Sequence, residues 1–221
     1  MEHYAIIAGG GLGVRMSETV PKQFLPLERM PIIMHSMQRF VPFCKKIIVV
    51  LPEDYFKLWA DLQKKHHFTI PHTLVAGGET RFDSVGNAME HLPDEGLVAI
   101  HDAVRPFASK MLIARCFYKA NKYGNAVAAV RVTDSLRMME MGKSENVDRE
   151  IFYRVQTPQV FRCSQIKEAY KQNYRSIFTD DATVLETYGE LIHLVEGEEL
   201  NIKITTPIDM FLAETLIKYK R

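Results

Sequence analysis

Short, continuous runs of apolar residues alternate along the chain with longer segments in which apolar residues recur at helical spacing. The runs that predict strands are 3–8, 46–51, 73–77, 97–102 and 125–132. Because these runs are continuous, they indicate strands buried on both faces. The segments that predict helices are 31–41, 53–66, 80–92 and 109–123. This alternation predicts an α/β fold, with a mostly parallel twisted sheet and helices on both faces.

The last helix has a clear start in "TTPIDMFLAETLIKYK". Thr206 is a suitable N-cap, and Pro207 suits the first helical position because its missing N–H would have no helical partner there. Helical spacing then predicts a buried stripe, formed by Ile208, Phe211, Leu212 and Leu216.

Residues 135–155 interrupt the alternation. Two arms with scattered apolar residues flank the turn-forming "GKSEN", which predicts a β-hairpin that leaves the sheet. A surface insertion is the simpler alternative. The hairpin would expose considerable apolar surface, however, so we expect it to be an arm through which the chain forms a homodimer. The apolar residues concerned are Leu136, Met138, Met141, Ile151 and Phe152.

Composition limits the classes of partner. The 28 Lys and Arg residues balance 27 Asp and Glu residues, so no overall field attracts nucleic acid or a membrane. The three cysteines are far apart in the sequence and lack a C-x-x-C pair, which argues against a disulfide framework and a zinc site. The N-terminal apolar run is too short for a signal peptide. We therefore expect a cytoplasmic protein in which residues 1–221 form a single domain.

The glycine-rich segment "AIIAGGGLGVRM" follows the first predicted strand. Val14 or Met16 stands where a dinucleotide fingerprint needs its third glycine, and Val14 with Arg15 replaces the Gly-Lys of a Walker loop. A bare loop at the carboxyl edge of a parallel sheet can still approach a phosphate or a base. Tight turning alone is the alternative. Arg15 and Lys22, which could otherwise be surface charges, favour a phosphate site.

A second candidate segment is "AIHDAVRPF". Asp102 ends a predicted buried strand at the same sheet edge, where a lone carboxylate suits a magnesium ion that carries substrate phosphates. Arg105 offers a planar fork to another phosphate. Asp102 and Arg105 could instead pair with each other, although we expect separate roles. His101 is more typical of a packed, hydrogen-bonded histidine than of a catalytic one.

Three further segments carry candidate residues. In "AGGETRFDSV", Gly77, Gly78 and Ser84 could line a nucleobase pocket. In "FTDDATVLETYG", Thr179 is expected to cap a helix. In "NIKITTP", Lys203 lies in a predicted short strand, where a cation among apolar residues suggests a fixed anionic partner.

Together these segments, with "PKQFLPL", "VDR" and "QTPQVF", resemble the sugar-phosphate cytidylyltransferases over residues 5–210. The resemblance implies a Rossmann-like fold, CTP as the nucleotide donor, Mg²⁺ as the cofactor and a homodimer joined by the hairpin arm. A sugar-alcohol phosphate is the implied acceptor. "NVDRE" and "TDDAT" favour methylerythritol phosphate, and ribitol 5-phosphate is the alternative acceptor.

The resemblance also implies a role for each matching residue. Arg15 and Lys22 would stabilise the pentacoordinate α-phosphorus, and Arg149 and Lys203 complete the implied catalytic set. The implied CTP-binding residues are Ala8, Gly9, Gly10, Gly11, Gly13, Arg15, Lys22, Gly78, Glu79, Ser84 and Asp102. Asp102 would also serve the metal and the acceptor. The implied acceptor-binding residues are Asp102, Arg105, Ser135, Thr179, Lys203 and Arg149, the last reaching the other subunit's site.

Two other classes of protein compete with an enzyme of this kind. A noncatalytic nucleotide-binding module would not need so many cations around one phosphate group. An NAD-dependent reductase would need the third fingerprint glycine, which is missing.

Overall fold

The structure is a computed structural model that describes residues 1–10 and 20–219. Its strands are β1 (His3–Ala8), β2 (Pro26–Leu27), β3 (Met30–Pro31), β4 (Lys46–Leu51), β5 (Thr73–Ala76), β6 (Leu97–Asp102), β7 (Asn125–Arg131), β8 (Leu136–Glu140), β9 (Lys143–Val147), β10 (Tyr153–Arg162) and β11 (Leu194–Glu196). Seven of them form the central sheet in the order β11-β7-β10-β6-β1-β4-β5. The predicted α/β fold with a mostly parallel sheet is confirmed, because only the pairings of β10 are antiparallel.

Helices cover both faces of this sheet. They are α1 (Ile32–Phe40), α2 (Phe56–Lys65), α3 (Arg81–Met89), α4 (Lys110–Tyr123), α5 (Cys163–Ala169), α6 (Asp181–Tyr188) and α7 (Pro207–Tyr219). One apolar core lies between the sheet and α1, α2 and α4, and a second lies between the sheet and α3, α5 and α6. Because strand residues alternate between the two cores, the strands are apolar on both faces, as the continuous runs predicted. No helix in residues 1–10 and 20–219 has the length and apolar character of a membrane span.

Strand β10 was not predicted from the sequence. It lies antiparallel between β6 and β7, with a register shift between Val155 and Gln159. Pro158 lies in that shift, and a proline inside a run normally argues against a central strand. The shift accommodates the missing N–H, so the polypeptide after the hairpin returns into the middle of the sheet.

The predicted hairpin is confirmed, but its bounds and its turn differ from the prediction. Strands β8 and β9 pair with each other, and residues 153–155 belong to β10 instead. The turn is Met141–Gly142, with φ of 46° and 79°, and Lys143 already begins β9. The expected "GKSEN" turn is therefore wrong. Both turn residues adopt left-handed backbone, which is typical of two-residue hairpin turns but uncommon for methionine.

Helix α7 begins as predicted, whereas its buried stripe is largely wrong. The side-chain oxygens of Thr206 and Asp209 accept hydrogen bonds from each other's backbone N–H, at 3.3 and 2.8 Å. Ile208 and Phe211 are more than 60% exposed, and Ala213 is the buried residue. Apolar residues lie on more than one face of this helix, so their spacing alone could not indicate which face packs against Leu27, Val104 and Phe107.

Candidate active site

Two adjoining cavities open at the carboxyl ends of β1 and β6. The first, here called the β1 chamber, has a volume of about 140 Å³ and is lined by Ala8, Gly9, Gly10, Lys22, Gln23, Arg81, Ser84, Asp102, Ala103, Val104 and Lys203. The second, here called the β10 chamber, has a volume of about 320 Å³ and is lined by Arg81, Asp102, Arg105, Val155, Gln156, Thr157, Gln159, Thr179, Asp180, Thr183 and Lys203. Arg81, Asp102 and Lys203 belong to both linings, so they form the boundary between the chambers.

A larger cavity, of about 640 Å³, lies along β7, β10 and β11. It contains Arg131, Tyr153 and Glu196 but no residue predicted for the site. The predicted site residues that line one of these cavities therefore do so in the two smaller chambers at the sheet edge.

Close packing at the end of β1 explains why Gly10 is a glycine. A Cβ atom built on Gly10 would lie 2.5 Å from Oγ of Ser84, so a side chain cannot fit there without displacement. Ser84 is fixed in turn, because Oγ donates to the carbonyl of Thr80 and accepts from the N–H of Gly78. The structure thus brings together three residues that were predicted for nucleotide binding. Glu79 is exposed beside them, while Gly11, Gly13 and Arg15 lie outside the described residues.

Lys22 reaches the β1 chamber from a short 3₁₀ helix at Lys22–Phe24. Pro21 precedes it, and the buried Gln23 donates from Nε2 to the carbonyl of Gly9 at 2.8 Å. That hydrogen bond ties the helix carrying Lys22 to the end of β1. Gln23 was missed in the sequence, where nothing separates a buried amide from a surface one.

Asp102 is the charge centre of the site. Its Oδ2 lies 3.0 Å from Nζ of Lys203 and 3.2 Å from Nε of Arg105, and its Oδ1 lies 3.8 Å from Nε of Arg81. Burial alone would raise the pKa of Asp102, but these three cations outweigh burial and hold the pKa well below its usual value. Asp102 is therefore a carboxylate at neutral pH.

Asp102 and Arg105 form an ion pair, which was the alternative to the expected separate roles. Nη1 of Arg105 also donates to the carbonyl of Asn201 at 2.8 Å. Arg105 thereby connects the end of β6 to the segment that precedes α7, and it still lines the β10 chamber. The i,i+3 spacing places both side chains on the same side of the turn after β6.

Lys203 has the anionic partner that its sequence context predicted, namely Asp102. The predicted strand is absent, because residues 201–205 have no regular secondary structure. The segment is instead held to the turn after β6 by a backbone hydrogen bond from Ile204 to Val104. An isolated segment with this apolar pattern resembles a strand but here lacks a neighbouring strand to pair with.

Thr179 lines the β10 chamber but does not cap α6. The N-cap is Asp180, whose Oδ1 accepts from the N–H of Thr183 at 2.9 Å. Two successive acidic residues after Thr179 made the start of this helix ambiguous in the sequence. The one-residue shift leaves the Thr179 side chain on the cavity wall.

Arg81 was also missed in the sequence. Its Nη1 and Nη2 donate to the two carboxylate oxygens of Asp181 at 2.8 and 2.6 Å, and Asp181 also accepts from the Tyr170 hydroxyl at 2.6 Å. Burial and the neighbouring Asp181 raise the pKa of Tyr170 well above its usual value, so the hydroxyl remains a donor. Thr80 caps α3, but nothing in the sequence around Arg81 indicated a partner 100 positions away.

His101 is packed and hydrogen-bonded, as its sequence context indicated. Its Nε2 donates to the carbonyl of Arg105, and its Nδ1 accepts from the hydroxyl of Thr157, which in turn accepts from the N–H of Asp102. Burial lowers the pKa of His101 to about 4. The neutral ring therefore holds the turn that carries Asp102 and Arg105.

Ser135 and Arg149 lie in the hairpin region, and neither lines either chamber of its own chain. Both are exposed, and Arg149 donates to the carbonyl of Thr133 at the base of the hairpin. The structure does not bring these two residues together with the rest of the predicted site within one chain.

The chambers carry more positive than negative charge. The described lining residues include the cations Lys22, Arg81, Arg105 and Lys203 and the carboxylates Asp102 and Asp180, while Asp181 is buried behind Arg81. Polyanions suit such a cleft. Within residues 1–10 and 20–219, no group of three or more His, Cys, Asp or Glu residues could hold a metal ion by itself.

Comparison with known proteins agrees with this geometry. The IspD family model, described as 2-C-methyl-D-erythritol 4-phosphate cytidylyltransferase, matches residues 3–219. A protein of that name from Phocaeicola vulgatus is 43% identical over 219 residues, covering 98% of this chain and 100% of the relative. Another from Bacillus pumilus is 37% identical over 227 residues, covering 100% of this chain and 99% of the relative.

Solved structures are similar over the same extent. The crystal structure of 2-C-methyl-D-erythritol 4-phosphate cytidylyltransferase from Thermus thermophilus is 31% identical, with a TM-score of 0.78 over 99% of this chain and 100% of that one. That of 4-diphosphocytidyl-2C-methyl-D-erythritol synthase from Anaerococcus prevotii is 26% identical, with a TM-score of 0.84 over 98% of this chain and 96% of that one. The chain therefore belongs to the 2-C-methyl-D-erythritol 4-phosphate cytidylyltransferase family of nucleotidyltransferases.

Proposed function

We propose that this protein transfers the cytidylyl group of CTP to 2-C-methyl-D-erythritol 4-phosphate. The products are 4-diphosphocytidyl-2-C-methyl-D-erythritol, an isoprenoid precursor, and pyrophosphate. The observation that carries the proposal is the shared boundary of the two chambers, at Arg81, Asp102 and Lys203. CTP would occupy the β1 chamber, beside the glycine-rich segment, and the acceptor would occupy the β10 chamber.

The proposed reaction is an in-line displacement at the α-phosphorus of CTP. A phosphate oxygen of the acceptor forms the new P–O bond as the bond to pyrophosphate breaks. Because a phosphate monoester is already anionic, no strong general base is needed, and catalysis depends on positioning and on neutralising charge. Lys22 and Lys203 contribute positive charge on either side of the reacting phosphates, and Arg15 is proposed to join them.

Mg²⁺ is the proposed cofactor, and the described residues fit it. Mg²⁺ sites that carry substrate phosphates commonly use only one or two protein carboxylates. Asp102 supplies one, and its Oδ1 has no cation within hydrogen-bond distance among the described residues, since Lys203 and Arg105 contact Oδ2 and Nε of Arg81 lies 3.8 Å away. When bound, the metal would neutralise charge on the triphosphate, and the residues of this chain would hold the two substrates in line.

The acceptor side of the site is proposed to require a second copy of the chain. The resemblance implies that Ser135 and Arg149 bind the acceptor, yet they lie on the exposed hairpin rather than in the chambers. Exposed apolar residues on the same hairpin support its burial against another subunit, with Met139 66% and Met141 97% exposed. In the proposed homodimer, Arg149 of each chain serves the partner's site.

The test is pyrophosphate release from CTP and Mg²⁺ with each candidate acceptor. The proposal predicts release with 2-C-methyl-D-erythritol 4-phosphate and little with ribitol 5-phosphate. Release with ribitol 5-phosphate alone would contradict the assigned acceptor. CTP binding without release for any acceptor would favour a noncatalytic nucleotide-binding module.

A further inference from the structure

Arg81 is held at one end by a buried anchor. The end-on pairing of Nη1 and Nη2 with Asp181 is bidentate, the geometry that gives arginine and carboxylate their strongest hydrogen bonds. Asp181 is fully buried, and the Tyr170 hydroxyl shares its Oδ1. The position of the guanidinium is therefore set by α6 and by Tyr170 rather than by Asp102.

The other edge of the same guanidinium faces Asp102 without reaching it. Nε of Arg81 lies 3.8 Å from Oδ1, beyond the limit of about 3.2 Å for an N–H···O hydrogen bond. Lys203 and Arg105, by contrast, contact Oδ2 at hydrogen-bond distance. One oxygen of Asp102 is thus occupied, while the other keeps a cation nearby but out of contact.

We propose that Asp181 restrains Arg81 and thereby keeps Oδ1 of Asp102 available to the metal-bound nucleotide. An arginine released from Asp181 would form its own close pair with Asp102, because charge-assisted pairs of this kind are favourable in a partly buried cleft. That pair would cover the oxygen proposed as the metal ligand. Arg81 and Asp181 are positioning residues, and the inference rests on the proposed function.

The competing explanation is that Arg81 and Asp181 form a purely structural ion pair between α3 and α6. It predicts the same effect from the loss of either residue. Removing either side chain would leave the other buried charge unpaired and would lower stability. The proposed restraint predicts different effects for the two substitutions. Asp181→Asn releases Arg81 onto Asp102, whereas Arg81→Gln removes the group that could cover Oδ1.

The experiment measures CTP binding by calorimetry, without acceptor, in the presence of Mg²⁺ and in its absence with EDTA. The readout is the ratio of the dissociation constant without metal to that with metal, in which the general effect of a lost charge largely cancels. We expect Asp181→Asn to lower this ratio about tenfold, the equivalent of one strong hydrogen bond. Arg81→Gln and the double variant should keep it close to that of the unmodified protein.

Asp94→Asn is the matched control, because it breaks the exposed Lys167–Asp94 ion pair and should leave the ratio unchanged. Melting temperatures show whether each variant is folded. Should Asp181→Asn not fold, Tyr170→Phe weakens the same anchor and should lower the ratio by a smaller factor.

Three results would overturn the restraint: an unchanged ratio in the folded anchor variant, no recovery in the double variant, or CTP binding by the unmodified protein that does not depend on Mg²⁺. The last result leaves nucleotide binding intact. Failure of the unmodified protein to bind CTP at all would instead contradict the proposed function itself.

Discussion

Nζ of Lys203 lies 3.0 Å from Oδ2 of Asp102. The two residues come from distant parts of the chain, one from the segment before α7 and the other from the end of β6. The contact places the Lys203 cation at the end of β6, where it lines both chambers. It also makes the stability of the site depend on pH.

Lys203→Gln should destabilise the protein at neutral pH but much less in acid. The folded-state pKa of Asp102 is lowered, so its stabilising contribution is present above the unfolded pKa of about 4 and is lost as pH falls further. We expect a loss of roughly 1 kcal/mol at neutral pH, since Lys203 is partly exposed. Urea unfolding at several pH values measures it. A difference that does not shrink in acid would place the effect of Lys203 elsewhere.

Lys22→Ala should lower kcat by roughly 10²–10³-fold, with a much smaller change in the affinity for CTP. The reason is its position on the β1 chamber, where the proposed mechanism has charge develop on the transferring phosphate. Steady-state kinetics separates the two parameters. Lys57→Ala, which removes an exposed lysine on α2, is the control and should leave both unchanged. Unchanged turnover in Lys22→Ala would remove it from the mechanism.

Met139→Asp should convert the protein to a monomer and abolish most activity, because it places a charge in the proposed dimer interface. Met111→Asp is closely matched, since Met111 on α4 is 68% exposed and Met139 is 66% exposed. Sedimentation velocity should show a monomer only for the hairpin variant. Equal behaviour of the two variants would contradict dimerisation through this arm.

Mixing two inactive variants should restore activity if Arg149 serves the partner's site. A heterodimer of Lys22→Ala and Arg149→Ala has one site with both residues intact. Random exchange between the dimers should then recover about a quarter of the unmodified activity. No recovery, despite subunit exchange verified with tagged chains, would show that Arg149 acts within its own chain.

His101→Gln should change how stability depends on pH. The folded-state pKa of His101 is about 4, below the usual value of 6.5, so acid protonates the unfolded chain first and destabilises the fold as pH drops through this range. The variant lacks this penalty. The difference in free energy of unfolding between the unmodified protein and the variant should therefore decrease by about 2–3 kcal/mol between neutral pH and pH 4. Urea unfolding at several pH values measures this change. If the free energy of unfolding depends on pH equally in the variant and in the unmodified protein, His101 is not a neutral, buried ring.

Sequence patterns predicted the parts of the fold that depend on local burial. Continuous apolar runs located the five parallel strands that they covered, because a strand between two helix layers buries most of its residues on both faces. The runs did not reveal β10, because Pro158 interrupts its apolar residues. Helical spacing likewise predicted the wrong buried face for α7, where Phe211 follows the spacing but is 63% exposed. Contacts made by the rest of the fold decide both cases.

The candidate site was predictable for a similar reason and to a similar extent. Asp102 and the residues after β1 were expected to meet because parallel strands end at one sheet edge. The Arg81–Asp181 pair joins residues 100 positions apart, and no local pattern marks either of them. Sequence therefore indicated where the charges gather, and the structure showed which of them hold one another in place.

The fate of labelled oxygen tests the central claim most directly, namely that the acceptor's phosphate attacks the α-phosphorus of CTP in the cleft around Asp102. The reaction is run with 2-C-methyl-D-erythritol 4-phosphate whose phosphate oxygens are ¹⁸O, and the products are analysed by mass spectrometry. Attack at the α-phosphorus predicts that all label stays in 4-diphosphocytidyl-2-C-methyl-D-erythritol and that pyrophosphate is unlabelled. Label in a released phosphate product, or CMP as the only cytidine product, would contradict the account.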